Sequence, residues 1–227
     1  MYTQLADTPD FLIIDKHAGT SFHSEGDEKG LVEIVRSDVD CRLWPVHRLD
    51  KATSGLLILA KSQEACRELC ELFAQKKVQK FYLAISDCAA KKIKKKQGAI
   101  VGDMARTRNG SWKLVNTRSN PAITHFFSYS VAPKQRLFIL KPHSGKTHQL
   151  RVALKSIGAP ILGDTRYGSS QTSASRMALH AYQLQFSFAG VSYNYESLPN
   201  TDVFLGIADW LQVQAIDTQT MAWPKLR

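Results

Sequence analysis

This chain lacks long apolar runs, is short of acidic residues and holds few cysteines. Its longest uninterrupted apolar stretch runs from Leu56 to Ala60, far short of the ~20 residues a helix needs to cross a bilayer, so no membrane partner is expected. The opening residues, Met1-Tyr2-Thr3-Gln4-Leu5-Ala6-Asp7, have neither the basic nor the apolar segment of a secretory leader. The 4 cysteines stand at 41, 66, 70 and 88 without any C-x-x-C pair. They are expected as small core or near-surface thiols in a reducing compartment, not as disulfides or zinc ligands, and the cytoplasm is the expected address.

The shortage of acid is the informative one. Against 30 Lys+Arg there are 20 Asp+Glu, a net charge of +10 over 227 residues. Such an excess points to a polyanionic partner, nucleic acid ahead of anionic membrane. Apolar content of 44% and charged content of 22% are ordinary for a globular chain. One domain over residues 1–227 is expected, with a basic hairpin or loop insertion around 89–121 and a polar tail over 214–227.

Several catalytic signatures are also missing. Ser144-Gly145-Lys146-Thr147 looks like the end of a phosphate-binding loop, but the glycine such a loop requires at position 140 is Leu140. His143 and His148 are five apart, off the spacing that aligns two ligands on one helical face. No G-x-S-x-G surrounds any serine. No metal, nucleotide cofactor or serine nucleophile is therefore expected.

What is present begins with Phe11 to Lys16, an apolar run ending in charge that predicts a strand, and Leu31 to Val35, which predicts a short helix. Pro45 bars a helix before His47. Leu56 to Ala60 predicts a second strand. Ser62 is placed to cap an amphipathic helix whose apolar face runs through Ala65, Cys66, Leu69, Cys70, Leu72 and Phe73, with Lys76 and Lys77 closing its last turn. From Val78 to Ser86 the pattern alternates, so Phe81, Leu83 and Ile85 face a core while Lys80 and Tyr82 face the other way. Residues 89–121 look least ordered and carry the lysine run Lys91, Lys92, Lys94, Lys95 and Lys96, which suits a solvated hairpin and phosphate contacts equally. Strands are expected over 123–131, 136–141, 177–188 and 191–197, and helices from near Thr147, carrying His148, and over 203–213. The class is α+β, with a mixed, mostly antiparallel sheet flanked by helices.

The stretch His47-Arg48-Leu49-Asp50, followed by Thr53-Ser54-Gly55-Leu56, sets a loop carboxylate just before a buried strand. Charge pattern alone also allows a surface turn with a local Arg48–Asp50 contact. The whole string, however, resembles the hallmark motif of the RluA family of RNA pseudouridine synthases. The resemblance continues in order: Lys16-His17-Ala18-Gly19 with Phe22-His23, Lys80-Phe81-Tyr82, Ser144 to Arg151, then Gly158, Pro160-Ile161, Gly163-Asp164, Leu179-His180-Ala181 and Leu198-Pro199. Three positions depart from the family pattern: His17 replaces proline, Lys146 replaces arginine and Ala153 stands where many members carry histidine. Without a separate N-terminal RNA-binding domain of the S4 type, the chain is similar to the compact members.

The resemblance implies a pseudouridine synthase-like fold acting on ribosomal or transfer RNA, without cofactor or metal, as a monomer. It makes Asp50 the nucleophile, Arg151 its partner, and Tyr82 a stacking residue on the uracil and a candidate for proton transfer. Leu179 would floor the base pocket and Arg48 would fill the space a flipped uridine leaves in the RNA. Thr53 and Ser54 would shape the loop together with Gly55. His47, Lys80, Lys146, His148 and Gln149 are further substrate-binding candidates, with Lys91 to Lys96 on phosphates. A non-catalytic RNA-binding or RNA-chaperone module is the alternative; it accounts for the charge but not for Asp50, Tyr82 and Arg151 together.

Overall fold

A computed structural model gives the fold and describes every residue except 25, 27, 88–94, 169–173, 200 and 225–227. In chain order the elements begin with β1 (Tyr2–Asp7), β2 (Phe11–Lys16), α1 (Leu31–Val39), β3 (Trp44–Pro45), β4 (Ser54–Ala60) and α2 (Gln63–Ala74). Then come β5 (Gln79–Asp87), β6 (Gln97–Arg106), β7 (Trp112–Val115), β8 (Ala122–Ala132), β9 (Gln135–Pro142) and α3 (Gln149–Ser156). β10 (Leu179–Phe188), β11 (Val191–Glu196), a 3-10 turn at Asp202–Phe204 and α4 (Ile207–Val213) complete the set. The class is α+β, as expected. The chain divides into two compact units, one of Met1–Lys80 with His180–Ser197, the other of Phe81–Leu179 with Leu198–Arg227.

In the first unit β2 lies antiparallel to both β1 and β4, with Lys16 opposite Gly55. β10 runs parallel to β4 at His180↔Ser54 and Ala181↔Gly55, and β11 folds back on β10. Every residue of β4 is buried, which is why its sequence is a solid apolar run and not an alternation: both faces are covered. α2 supplies one cover. The Ser62 hydroxyl accepts the Ala65 N–H at 3.0 Å, as its position predicts. Ala65 and Leu69 then pack with Phe11, Ile13, Leu56, Ile58 and Phe186. The helix ends at Ala74 and Lys76 takes φ 59°, so the lysine pair expected in the last turn lies beyond it. β1, which the sequence pattern did not announce, is mostly exposed.

The second unit is antiparallel throughout, in the order β5-β9-β8-β6-β7. Along β5 the expected alternation holds only as far as Leu83, with Phe81 and Leu83 buried and Tyr82 half-buried; beyond it Ala84 and Ser86, on the face expected to be open, are buried as fully as Ile85, and the Ser86 hydroxyl donates to the Pro160 carbonyl. β8 and β9 form the expected hairpin, turning through Lys134 at φ 64°. Residues 97–115, expected as loop or exposed hairpin, form β6 and β7, paired antiparallel as a hairpin from Asp103↔Val115 to Arg106↔Trp112. The first half of β6, Gln97 to Gly102, is bonded to β8 and the second, Asp103 to Arg106, to β7; the ladder with β8, not local pattern, builds the hairpin into the sheet. α3 starts at Gln149, not Thr147, because His148 adopts a left-handed φ of 56°. The expected closing helix over 203–213 is split by Gly206 at φ 74° into the 3-10 turn and α4. Beyond α4 the polar tail is anchored through Trp223, whose ring packs 5.7 Å from Phe81 and 5.1 Å from Phe127.

Candidate active site

Asp50 is half-buried in the loop between β3 and β4, and the backbone on both sides of it is fixed by side chains from elsewhere. Lys16, at the end of β2, is fully buried. Its ammonium donates to the carbonyls of His17 at 3.0 Å, Lys51 at 3.0 Å and Thr53 at 2.8 Å. Stripping a cation of water costs several kcal/mol unless its protons are used; here three carbonyls take them, two from the loop itself. Gly19 N–H adds a second bond to the Lys51 carbonyl, and Thr53 N–H closes the turn on the Asp50 carbonyl.

His47 secures the upstream end. Its ring stacks on Phe73 at 4.5 Å, and Nε2 accepts the Ile58 N–H at 3.1 Å. Burial, and then the Lys80 ammonium, push its pKa down to about 3, so the ring is neutral with its proton on Nδ1. Lys80 is half-buried with its ammonium 5.4 Å over the same Phe73 ring, and burial lowers its pKa. Arg48 is exposed, its Nη1 3.4 Å from His23 Nε2.

Downstream, Thr53 and Ser54 are buried. The Ser54 hydroxyl lies 2.8 Å from Nδ1 of His180. Gly55 has φ 112°, and a Cβ there would sit 2.3 Å from the Ala181 carbonyl oxygen. Only glycine allows β4 and β10 to approach this closely, which is the physical content of that motif glycine.

In the second unit, α3 places Arg151 in a buried fork on Asp164: Nε to Oδ2 and Nη2 to Oδ1, both 2.8 Å. Asp164 also accepts the N–H groups of Arg166 and Tyr167 at 3.0 Å. Burial alone would raise this carboxyl's pKa, but the bonds and charge of Arg151 with the two N–H groups outweigh it and hold it below the usual range. The planar fork of arginine suits this bidentate pairing. Tyr167, buried against the same helix, bonds His148 Nδ1 and the Trp112 N–H through its hydroxyl, each at 2.9 Å. Gln149 is buried and ties β8 to the loop before α3: its Nε2 donates to the Ile123 carbonyl, and its Oε1 accepts from Ser144 and from Lys146 N–H. Lys146 itself is half-buried and Leu179 is buried.

The candidates thus fall into two sets. His47, Arg48, Asp50, Thr53, Ser54 and Lys80 belong to the first unit, and Tyr82, Lys146, His148, Gln149, Arg151 and Leu179 to the second. Lys95 and Lys96 are exposed, while Lys91, Lys92 and Lys94 lie outside the described residues. Lys16, Asp164 and His180 had no expected role, though each sits inside a block that carries the resemblance. Among the described residues no three of His, Cys, Asp and Glu are grouped to hold a metal, and no helix is long and apolar enough to cross a membrane.

The fold and the loop together define an α+β enzyme scaffold that presents one carboxylate on immobilised backbone. A family model described as RNA pseudouridylate synthase matches residues 10–156, and the chain belongs to that family. It is 50% identical over 196 residues to an uncharacterized RNA pseudouridine synthase of Haemophilus influenzae, covering 86% of each chain. It is 32% identical over 186 residues to the ribosomal large subunit pseudouridine synthase C of Vibrio vulnificus, covering 78% of this chain and 58% of that one. The fold matches human RNA pseudouridylate synthase domain containing 1 with a TM-score of 0.77 at 23% identity, over 99% of this chain and 97% of that one. The reaction is isomerisation of uridine to pseudouridine in RNA.

Proposed function

We propose that Asp50 is the nucleophile and that the substrate is a uridine of large-subunit ribosomal RNA. The loop geometry carries the first half of this reading: two hydrogen bonds from Lys16 and one from Gly19 hold the backbone around a single carboxylate. Preorganisation of this kind lets a weak nucleophile act without first being ordered. The carboxylate attacks at the sugar C1′ or at C6 of the base. The N1–C1′ bond breaks, the base turns, the C5–C1′ bond forms, and the proton lost from C5 is balanced by one gained at N1. Atoms balance within the uridine and Asp50 is regenerated.

In this reading Arg151 has the role of partner to the nucleophile, Tyr82 stacks on the uracil and serves the proton transfer, and Leu179 floors the pocket. Arg48, exposed at the loop, fills the gap left by the flipped uridine. Thr53 and Ser54 shape the loop, and His47 acts by holding it. Lys80, Lys146, His148 and Gln149 form or support the RNA-binding surface, and Lys95 and Lys96 meet phosphates. The enzyme works in the cytoplasm as a monomer. The ribosomal target is supported by relatives whose names specify the large subunit.

Asp50→Asn tests the chemistry. It should abolish pseudouridine formation, a loss of roughly 10³-fold or more, with the fold intact by circular dichroism; an active variant sinks the nucleophile assignment. Mapping pseudouridine in cells lacking the protein tests the target: loss of a large-subunit site is expected, and loss confined to transfer RNA would overturn it.

A further inference from the structure

We propose that His180 is a positioning residue for this reaction, its imidazole clamping the start of β4 and thereby aiming Asp50. The inference rests on the assignment of Asp50 as nucleophile and adds a residue to it.

The ring uses both nitrogens. Nε2 lies 2.8 Å from the Ser197 carbonyl and Nδ1 lies 2.8 Å from the Ser54 hydroxyl. A carbonyl can only accept, so Nε2 carries the proton; Nδ1 of the neutral ring is then an acceptor and takes the Ser54 O–H. One buried ring therefore donates at one end and accepts at the other, joining residues far apart in sequence. His180 is only 2% exposed, so water does not compete for either bond.

The far end of the clamp is itself fixed. Ser197 N–H bonds the Tyr182 carbonyl, and its hydroxyl donates to the Asp15 carboxylate. Asp15 immediately precedes Lys16, whose ammonium holds the carbonyls of Lys51 and Thr53. The Asp50 loop is thus gripped from β2 at residues 51 and 53 and from β10 at residue 54. Lys16 restrains its carbonyls, while His180 restrains the side chain where the loop becomes strand. Reacting atoms must meet within about 3–3.5 Å, and a misplacement of about 1 Å can cost ~100-fold in rate.

The test uses the full chain and unmodified RNA from cells lacking this protein, with enzyme in excess so that each target turns over once. His180→Leu should lower the maximal rate about 100-fold while the enzyme concentration giving half that rate changes less than about 3-fold. Ser54→Ala should lower the rate by less, and the double variant should fall no further than His180→Leu alone. A change in half-saturation with the rate intact, or two additive rate losses, overturns the proposal. A second measurement does not depend on turnover. Nitrogen NMR of the wild type should show the ring protonated at Nε2, and the carboxyl carbon signal of Asp50 should shift in His180→Gln and Ser54→Ala. An unmoved Asp50 signal overturns positioning by His180 whatever the rates do. Activity in Asp50→Asn overturns the nucleophile assignment instead, so the two failures are distinguishable.

Discussion

The surroundings of Asp50 and of Arg151 are held by opposite means. Around Asp50 the partners are backbone groups: carbonyls bound by Lys16 and Gly19, and the Ile58 N–H bound by neutral His47. Around Arg151 the partner is a buried carboxylate, Asp164, itself fed by two backbone N–H groups. The first arrangement fixes where a loop runs and with it the backbone that carries its one carboxylate. The second fixes a charge by committing another charge to it. The two should respond differently to substitution and to acid.

Asp164→Asn should be the most damaging change. It removes the charge to which the buried Arg151 fork is bonded, a loss on the order of 3–5 kcal/mol, read as a lower urea midpoint. A loss under about 1 kcal/mol would mean that the fork contributes little and the contrast drawn above is false. Lys16→Met comes next. Three carbonyls lose a charged donor, and about 2–3 kcal/mol is expected from the mutated site, with activity at low temperature falling more than stability. If activity survives in the fully folded variant, the loop does not need its cation.

A slope, not a single loss, separates the two regions by pH. His47 is neutral in the fold with a pKa of about 3 against an ordinary 6.5, so the unfolded chain binds the extra proton. Its contribution is fully present above pH 6.5 and drains away as pH falls toward 3, by up to about 1.4 kcal/mol per unit. The Asp164 pKa lies below its ordinary 3.8, so that contribution is present above 3.8 and is lost only as pH falls through the folded value. Thermal melts between pH 6.5 and 4 should therefore show a slope in the wild type that is reduced in His47→Gln. An equal slope in both would assign the acid sensitivity elsewhere.

Features written by local pattern were legible in the sequence: the Ser62 cap, the alternation in the first half of β5, the β8–β9 hairpin and the loop around Asp50. The illegible ones depend on partners that leave no mark of their own. Lys16 looks like an ordinary strand-end lysine because its acceptors are carbonyls, which every residue has, 35 and 37 positions away. The first half of β6 was hidden because its order comes from pairing with Ala122 to Phe127. Arg151 was expected to serve Asp50, and nothing in the pattern of α3 shows that its fork grips Asp164. His148 reads as a helical residue by spacing, yet its backbone turns left-handed as its ring meets Tyr167.

The parallel contact of β4 with β10 also bears on how the protein is made. Ser54 and His180 are 126 residues apart, and the first unit is assembled from both ends of that interval. A chain emerging from the ribosome N-terminus first can build β1, β2, β4 and α2 early, but the last clamp on the Asp50 loop waits until residues 180–197 have been synthesised. Contacts of such long sequence separation form slowly. Competence for chemistry should thus arrive late, and a nascent chain halted before His180 should be folded in part and inactive.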